Sequence, residues 1–350
     1  MSSMDMVHSH GEPAIPSILV VTEATSPKDE SDILTSPLGM MFRGWLTTMG
    51  INPARCQFAA VLTNTSLSDA LTSDKALAVK GMRQVVAGKY LRESYYHHFA
   101  HLWRKVNAIA PNVIIALGDL SLAALTEEKS LKFARGRICA GNRSIPNRKV
   151  LPTWSPQQVM DDYTLRPIVL ADLAKALRES VYPELRRPQR FLHLEPSLLD
   201  LEAFYETYIK DAPDLSVDIE TKGTMITCVG FAPSADRALV IPFFDETSPT
   251  GNYWSTAEEE RLAWQFVRRI LKEKRCFGQN FQYDMQYLWR QMGIPCPGFC
   301  DDTMLMHHAL QPEMEKGLGF LASVYTDEMA WKFMHKVASA DKTAKPGDVE

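Results

Sequence analysis

Two carboxylates in one strand-like segment are the first residues here that could do chemistry. In the segment LSVDIET, at 215–221, apolar and polar residues alternate, so Asp218 and Glu220 are two positions apart. A β-strand with this alternation buries its apolar side and places both acids side by side on the other face. Adjacent carboxylates repel unless a divalent cation neutralises them, and oxygen ligands suit Mg²⁺ or Mn²⁺. The pair predicts a metal site, although a solvated strand end would also accommodate it.

A second acid lies in the segment CFGQNFQYDMQYL, at 276–288. The segment begins as an apolar strand end, turns at Gly278 and continues as a helix. Asn280 and Asp284 are four residues apart and so share a helix face, and Tyr283 directly precedes the acid. A purely structural interpretation makes Asn280 a helix cap and Asp284 a surface acid. That interpretation explains Asn280 but not the combination.

The elements that carry these residues follow from hydrophobic periodicity. Between 17 and 125, strand-like runs (SILVV, FAAVLTN, VIIALG) alternate with longer amphipathic stretches, which is typical of an α/β sandwich. A last strand, KVLPTW, and a helix over about 164–180 complete this part. Farther on, a helix precedes three strand-like runs, LSVDIET, MITCVGFA and RALVIPFF, whose short connections predict an antiparallel meander. Helical spacing returns over 256–273 and 280–291, so we predict a mixed sheet with flanking helices.

These patterns divide the chain into two domains. We predict a disordered tail over 1–16, a first domain over 17–182, a linker rich in proline and arginine over 183–195, and a second domain over 196–350.

Composition describes an ordinary globular chain. Its 350 residues are 45% hydrophobic and carry a net charge of -4, so any nucleic acid must be bound by local patches or metal ions. The polar N-terminus has no apolar run suited to a signal peptide, and no later segment resembles a membrane span. The six cysteines form no CxxC pair. We therefore expect a reduced, cytoplasmic protein without membrane contact.

The ordered segments DIET, GQNFQYD and DDTMLMHHAL, followed by LGFLASVYT, closely resemble the 3'-5' exonuclease domain of DNA polymerase I and its relatives in family A. The resemblance covers 196–350 and implies an RNase H-like fold. It implies that Asp218, Glu220 and Asp284 are the catalytic metal ligands. The residues that it places near DNA are Thr221, Gln279, Asn280 and Tyr283.

The same resemblance implies hydrolysis of single-stranded DNA 3' ends at a two-metal site with Mg²⁺ or Mn²⁺, and a polymerase domain in the same gene product. The family completes its site with a third motif, a Tyr and Asp pair, which has no match before Glu350. Asp302 belongs to a supporting segment and Asp327 comes too early, while Asp341 and Asp348 lie in a polar tail. We therefore expect the gene product to continue beyond residue 350.

The first half resembles the uracil-DNA glycosylases of the iron–sulfur type. The segments SILVVTEATSPKDE, SPLGMMFRGWL, FAAVLTN, PNVIIALGDLSLAAL, ARGRI and LPTWSPQQV follow the order of that family over about 17–180. The complete prediction is thus a uracil-DNA glycosylase-like α/β/α sandwich followed by an RNase H-like mixed-sheet exonuclease domain.

Departures from the glycosylase pattern predict that this chemistry is lost. Glu23 remains from the first loop, but Ser155 stands where the family has a histidine that stabilises the departing uracil. Only Cys56 and Cys139 lie in this half, so no iron–sulfur cluster is expected. The remaining candidate contacts to DNA are Asn64, Arg135 and Arg137.

The histidines are also of a residue type that binds metals, but their spacing does not predict a metal site. His97, His98 and His101 have helical spacing, but no third ligand follows at a recognisable zinc spacing, so we interpret the segment as a partly buried aromatic helix. We interpret His307 and His308 as packing and surface residues.

Three function classes stay open at this point. They are the exonuclease portion of a DNA polymerase, a uracil-DNA glycosylase, and a module that binds DNA or protein without catalysis.

Overall fold

The computed structural model describes residues 17–25, 35–86, 88–128, 130–295, 297–298 and 300–326. They separate into two compact units, one comprising Met1–Arg186 with Gly319–Glu350 and the other Arg187–Leu318. The tail predicted over 1–16 lies outside the described residues, as do Cys296, Asp327, Asp341 and Asp348. Within the described ranges, no helix has the length and apolar character needed to cross a membrane.

The first unit contains seven described strands. They are β1 (Ile18–Thr25), β2 (Gln57–Thr63), β3 (Leu71–Thr72), β4 (Tyr90–Leu91), β5 (Val113–Leu117), β6 (Cys139–Ala140) and β7 (Lys149–Thr153). Its helices are α1 (Pro37–Thr48), α2 (Leu67–Ala70), α3 (Tyr96–Ile109), α4 (Asp119–Leu125), α5 (Leu131–Ala134), α6 (Pro156–Asp161) and α7 (Arg166–Glu179). Short 3-10 turns cover Pro53–Arg55, Glu93–Tyr95 and Tyr163–Leu165.

A five-stranded sheet in the order β2-β1-β5-β7-β6 forms the middle of this unit, and β3 pairs with β4 separately. The first four strands are parallel, while β6 runs antiparallel to β7. Alternate residues of β1 enter two different cores: Leu19 and Val21 pack with Phe99 of α3, and Ile18 and Val20 pack with helices α1 and α7. Helices thus cover both faces, and the predicted three-layer arrangement is confirmed.

The second unit contains strands β8 (Phe191–His193), β9 (Leu215–Lys222), β10 (Met225–Ser234), β11 (Arg237–Pro242), β12 (Cys276–Gly278) and β13 (Cys300–Asp302). Its helices are α8 (Leu198–Phe204), α9 (Ala257–Glu273), α10 (Phe281–Met292) and α11 (Thr303–Leu310). A π-helical turn over Tyr205–Ile209 extends α8.

These strands form one mixed sheet in the order β13-β12-β9-β10-β11-β8. Strands β9, β10 and β11 are antiparallel neighbours, as the three successive strand-like runs predicted. Strand β12 lies parallel to β9, and β13 lies parallel to β12. Val217 and Ile219 of β9 pack in one core with Phe266 of α9 and Leu288 of α10. That packing fixes α10 beside β9.

One further helix, α12 (Leu318–Tyr325), belongs to the first unit except for Leu318. The sequence predicted this segment as part of the exonuclease domain. The buried ammonium group of Lys175 donates to the carbonyl oxygens of Ser323 and Thr326 at 3.0 and 2.6 Å. Arg135, also buried, donates to the hydroxyl of Ser323. Because these partners are more than a hundred residues apart in sequence, no local pattern could predict the contact.

Candidate active site

Strand β9 presents the two acids as its alternation predicted. Leu215, Val217 and Ile219 are buried, whereas Asp218 and Glu220 are exposed on the opposite face. Strand β10 supports this segment, with Gly230 opposite Asp218 and Cys228 opposite Glu220. The two carboxylates are therefore carried by a strand whose other face is locked in the core.

Asp284 reaches this same stretch of β9 from α10. Its side chain is 3% exposed, and its Oδ1 accepts a hydrogen bond from the backbone N–H of Ile219 at 2.9 Å. Ile219 lies between Asp218 and Glu220, so the buried bond ties the third acid to the backbone that carries the other two. Strand β12 pairs with β9 only as far as Ser216. Beyond that point the Ile219 amide has a carboxylate as its partner.

The turn that leads from β12 into α10 depends on a glycine. A Cβ atom on Gly278 would lie 2.5 Å from the ring of Phe281 and 3.0 Å from the carbonyl oxygen of Val217. The first distance is too short for a carbon atom and the second is tight, so a larger residue would require Phe281 to shift at the start of α10. Gly278 thereby sets the distance at which Asp284 meets the strand.

Asp302 caps the N-terminal end of α10. Its Oδ1 accepts from the N–H of Asn280 at 3.0 Å and from that of Met304 at 2.8 Å, and its Oδ2 accepts from the N–H of Phe281 at 2.8 Å. Both oxygens are therefore occupied by backbone donors of two helices, α10 and α11, an arrangement that suits the N-terminal ends of helices. This carboxylate supports the site and is not presented as a further metal ligand.

Asn280 precedes α10 in a left-handed conformation, with φ of 56°. It occupies the cap position, but its side chain makes no capping hydrogen bond. Asp302 supplies the cap in its place. Asn280 is exposed, and because it precedes the helix it does not share a regular helix face with Asp284.

Gln279 is held within the protein. Its amide nitrogen donates to the carbonyl oxygen of Lys316 at 2.8 Å, and its amide oxygen accepts from the hydroxyl of Thr303 at 2.5 Å. Both ends of the amide are thus used to fix the turn after β12. A contact of Gln279 with DNA stays a prediction.

Hydroxyl groups connect α10 to the end of β9. The hydroxyls of Thr221 and Tyr283 are 2.7 Å apart, and the hydroxyl of Tyr287 donates to the carbonyl oxygen of Gly223 at 3.2 Å. The two tyrosine rings lie 4.7 Å apart, and the hydrogen bond with Tyr283 raises the pKa of Tyr287. Tyr283 is 41% exposed, so part of its side chain is accessible to a ligand.

The chemistry of the donor set fits a hard divalent cation. Asp218, Glu220 and Asp284 offer only carboxylate oxygens, the ligands that Mg²⁺ and Mn²⁺ prefer. Within the described part of the chain, however, no three acidic, histidine or cysteine side chains already converge tightly enough to hold a metal. The assignment of Asp218, Glu220 and Asp284 as metal ligands stays a prediction.

The residues predicted from the glycosylase resemblance lie in the first unit. Glu23 and Ser155 line one cavity, while exposed Asn64, with φ of 57°, is not among the described residues that line it. Ser155 caps α6: its Oγ accepts from Gln158 N–H at 3.3 Å, and its own N–H donates to Gln158 Oε1 at 2.8 Å. Serine is thus explained at this position by helix capping.

The two arginines predicted to contact DNA are instead buried. Arg135 pairs with Asp172 at 2.9 Å, and Arg137 pairs with Glu128. The prediction of surface contacts is therefore wrong for this structure, because both guanidinium groups are occupied by internal ion pairs.

The histidines behave as the sequence analysis interpreted them. His97 and His101 are exposed and His98 is half-buried on α3, and His97 Nδ1 lies 2.8 Å from the carbonyl oxygen of Ser94. On α11, His307 is buried and His308 is exposed.

Two supporting features escaped the sequence analysis. The first is the capping role of Asp302, whose signal was an acid directly before a helix, and the second is the contact of Tyr287 with Gly223. Both features depend on contacts of α10 with β13 and with the turn between β9 and β10. No local sequence pattern predicts contacts between such distant segments.

Part of the chain is similar to a known protein family. Residues 199–347 match the family model described as 3'-5' exonuclease. Among curated protein sequences, none matches the chain.

Several solved structures are similar at low identity. RNase D from Escherichia coli, an exoribonuclease involved in structured RNA processing, is 15% identical with a TM-score of 0.31, over 40% of this chain and 34% of that one. The Nibbler EXO domain from Aedes aegypti is 12% identical with a TM-score of 0.32, over 46% and 80%. NrnC from Brucella melitensis, bound to pGG, is 16% identical with a TM-score of 0.29, over 41% and 63%.

This chain thus spans about a third of the length of the RNase D chain. At these TM-scores the structural likenesses do not by themselves assign a fold or an activity. The family match is independent of them and includes all three acids and the segment of Asp302. The similarity of this chain to 3'-5' exonucleases therefore rests on the family match over residues 199–347.

Proposed function

We propose that the protein hydrolyses DNA from its 3' end in a reaction that requires Mg²⁺ or Mn²⁺, with Asp218, Glu220 and Asp284 as the metal ligands. The observation that carries the proposal is the buried hydrogen bond between Asp284 Oδ1 and the Ile219 amide. It ties a carboxylate from α10 to the one strand segment that bears two others. A solvated strand end needs no such connection.

The side chains of the two acids on β9 contribute little to the stability of the fold, so both can serve as ligands of a cation. Their strand is held by Val217 and Ile219 on the buried face, so the side chains of Asp218 and Glu220 are not needed for packing. Two carboxylates on neighbouring positions of one face repel each other. A divalent cation relieves this repulsion and at the same time attracts a phosphate group.

The bound ions would supply the chemistry of two-metal hydrolysis, in which attack by water and departure of the 3' oxygen are both stabilised. The protein's own contribution is position. Asp302 fixes the first turn of α10, Gly278 fixes its distance from β9, and Asp284 is thereby fixed against Ile219. A displacement of about 1 Å can cost about a hundredfold in rate, so such support matters for the reaction.

The terminal nucleotide is proposed to lie beside Thr221 and Tyr283. An exposed tyrosine ring suits stacking with a base, and stacking is indifferent to sequence. The hydrogen bond between the Thr221 and Tyr283 hydroxyls holds the ring over the end of β9. Asn280, exposed at the start of α10, is proposed to contact the same nucleotide.

We further propose that this domain proofreads for a family A DNA polymerase in the same gene product. The order of the segments DIET, GQNFQYD and DDTMLMHHAL supports this context, as does the family match over 199–347. The substrate would then be a frayed single-stranded 3' end.

The test is incubation of the complete gene product with a single-stranded DNA oligonucleotide carrying a 5' label. With Mg²⁺ we expect a ladder of labelled products shortened from the 3' end, and chelation by EDTA should abolish it. An oligonucleotide with a 3'-terminal phosphorothioate should be degraded more slowly. Release of the 5'-terminal label as a mononucleotide, or degradation that persists in EDTA, would contradict the proposal.

A further inference from the structure

The first unit contains a cavity of about 370 Å³ at the carboxyl ends of its parallel strands. The described lining residues include Glu23 and Thr25 from the end of β1, Leu117 from the end of β5 and Ser155 after β7. The chain passes from β1 to β2 on one side and returns to β5 on the other, so the cavity lies where the strand order reverses. Open α/β sheets bind ligands at this point. The volume suits a small organic molecule.

The charge of the cavity is unbalanced. Of the described residues that line it, Glu23 is the one with a charged side chain, and no lysine, arginine or histidine is among them. Phosphates and carboxylates would meet a like charge with no cation to offset it. The described lining therefore disfavours anionic ligands.

A hydrogen bond and close packing fix the position of the Glu23 carboxyl group. Its Oε1 accepts from the N–H of Leu120 at 2.8 Å. The carboxyl group lies over Gly118, which has φ of 87°, and a Cβ atom there would come within 2.3 Å of Glu23 Cδ. Glycine is needed at this position both for its backbone conformation and for this close approach.

Burial disfavours the ionised form of this carboxyl group. Burial raises the pKa of Glu23 and the nearby Asp119 adds to this effect, while the backbone N–H groups of Leu120 and Asp119 lower it, and the resulting pKa is about 7. Near neutral pH the group is thus divided between its two forms. A cation brought into the cavity would favour the ionised form.

A second polar residue, Thr25, also lines the cavity, and its hydroxyl oxygen is buried. Thr25 is 7% exposed, and its Oγ1 has no hydrogen-bond partner among the residues that the structure describes. Thr25 and Glu23 are two positions apart on β1, so their side chains share a face of the strand. A buried hydroxyl normally has a partner, and a bound donor would provide one.

Two aromatic rings complete the lining. Phe42 from α1 and Phe58 from β2 both border the cavity, together with aliphatic residues. Phenyl rings attract ammonium groups through their electron-rich faces.

We propose that this cavity binds a small organic cation, namely a primary ammonium group on an apolar body. The ammonium pairs with Glu23 and donates to Thr25, and the apolar part lies against Phe42 and Phe58. This site is independent of the exonuclease chemistry proposed above, since every residue that carries it lies in the first unit.

The test is calorimetric titration of the full chain with benzylammonium, with benzyl alcohol as its neutral isostere and uracil as a neutral heterocycle. At pH 8 we expect saturable binding of benzylammonium and at least tenfold weaker binding of both neutral probes. Between pH 8 and pH 6 the affinity for benzylammonium should fall about tenfold, because protonation of Glu23 competes with the cation.

Substitutions test separately how charge and apolar packing contribute to the binding of benzylammonium. Glu23→Gln should weaken benzylammonium binding at least tenfold at pH 8 and remove its pH dependence, whereas the matched control Glu93→Gln, at an exposed position, should change neither. Phe58→Leu should weaken the cation more than benzyl alcohol. If Glu23→Gln does not fold, the wild-type pH dependence and the comparison of the three probes decide. Absence of saturable benzylammonium binding, uracil binding as tight as the cation, or pH-independent affinity would overturn the proposal.

Discussion

The chemistry proposed for this protein depends on single carboxylates whose surroundings differ. Asp218 and Glu220 are exposed and Asp284 is buried, although all three are predicted to bind the same ions. The exposed pair is available to the substrate phosphate, and the buried acid fixes the geometry through the Ile219 amide. Substitutions at the two kinds of position should therefore have different effects on stability.

For the exposed pair, Asp218→Ala and Glu220→Ala should each abolish Mg²⁺-dependent degradation in the complete protein while the fold stays intact. The packing of β9 comes from its other face, and removal of one charge relieves repulsion, so the free energy of unfolding without metal should be unchanged or slightly higher. Urea unfolding and the oligonucleotide assay measure the two effects. Glu206→Ala, a surface acid paired with Lys210, is the control. Near wild-type activity in either variant would refute the ligand assignment.

Asp302→Asn tests the support of α10. The amide can replace one oxygen, but its NH₂ group would face the N–H of an α10 or α11 residue, so at least one backbone donor loses its cap at a cost of about 0.5–2 kcal/mol. We expect a lower free energy of unfolding and faster hydrogen exchange at Phe281. The control is Asp301→Asn, which removes an exposed ion pair with Arg275 and should cost at most about 1 kcal/mol. Equal effects of the two substitutions would show that Asp302 has no capping role.

Glu23 should make the stability of the first unit depend on pH. Its pKa is about 7 in the folded protein against 4.5 in the unfolded chain, so the folded state holds more protons between these values. Stability should therefore decline as pH rises from 4.5 to about 7, by about 3 kcal/mol in total, and about 2 kcal/mol of this should be lost between pH 5.5 and pH 8. Glu23→Gln should remove most of this slope in urea unfolding, and Glu93→Gln should keep it. A slope that survives Glu23→Gln would assign it to other groups.

Among the elements, those defined by local periodicity were predicted well. The alternation of LSVDIET predicted which face of β9 carries Asp218 and Glu220, and the short connections predicted the meander of β9, β10 and β11. What could not be predicted is pairing between distant elements. The hydrogen bonds of Asp302 to α10 depend on β13 lying beside β12, and no local sequence pattern predicts that these two strands are neighbours.

The helix α12 is the clearest case of such a distant contact. The family match and the sequence resemblance both include it, yet it packs within the first unit. Lys175 donates to two carbonyl oxygens at its C-terminal end, where a cation also complements the helix dipole. Arg135 adds a donor to Ser323 and lies over the ring of Phe320, with centroid distance 5.5 Å.

Lys175→Met should loosen this helix. The substitution leaves buried carbonyl oxygens without a donor and removes a buried cation near Asp172, so the loss in the free energy of unfolding of the first unit should be about 3–5 kcal/mol. Hydrogen exchange in 319–326 should increase more than elsewhere in the unit. Lys132→Met, at an exposed position on α5, is the matched control and should change neither quantity by much. Unchanged exchange in α12 would show that Lys175 does not anchor it.

At the scale of the whole chain, the net charge of -4 offers no general attraction for nucleic acid. Under the proposed function, affinity for DNA would come from the few residues at the site and from the metal ions that they would hold. This agrees with a substrate that is recognised by its free 3' end. It also means that loss of one metal ligand should remove binding and chemistry together.

The most direct measurement is therefore Mg²⁺-dependent shortening of a 5'-labelled single-stranded oligonucleotide by the complete gene product and by its Asp284→Ala variant. We predict a ladder of products with the wild-type protein and at least a hundredfold slower shortening with the variant, since the buried acid both binds metal and fixes the site. Circular dichroism of both proteins verifies that the variant is folded. Equal rates in the two folded proteins would contradict a nuclease site built on Asp218, Glu220 and Asp284.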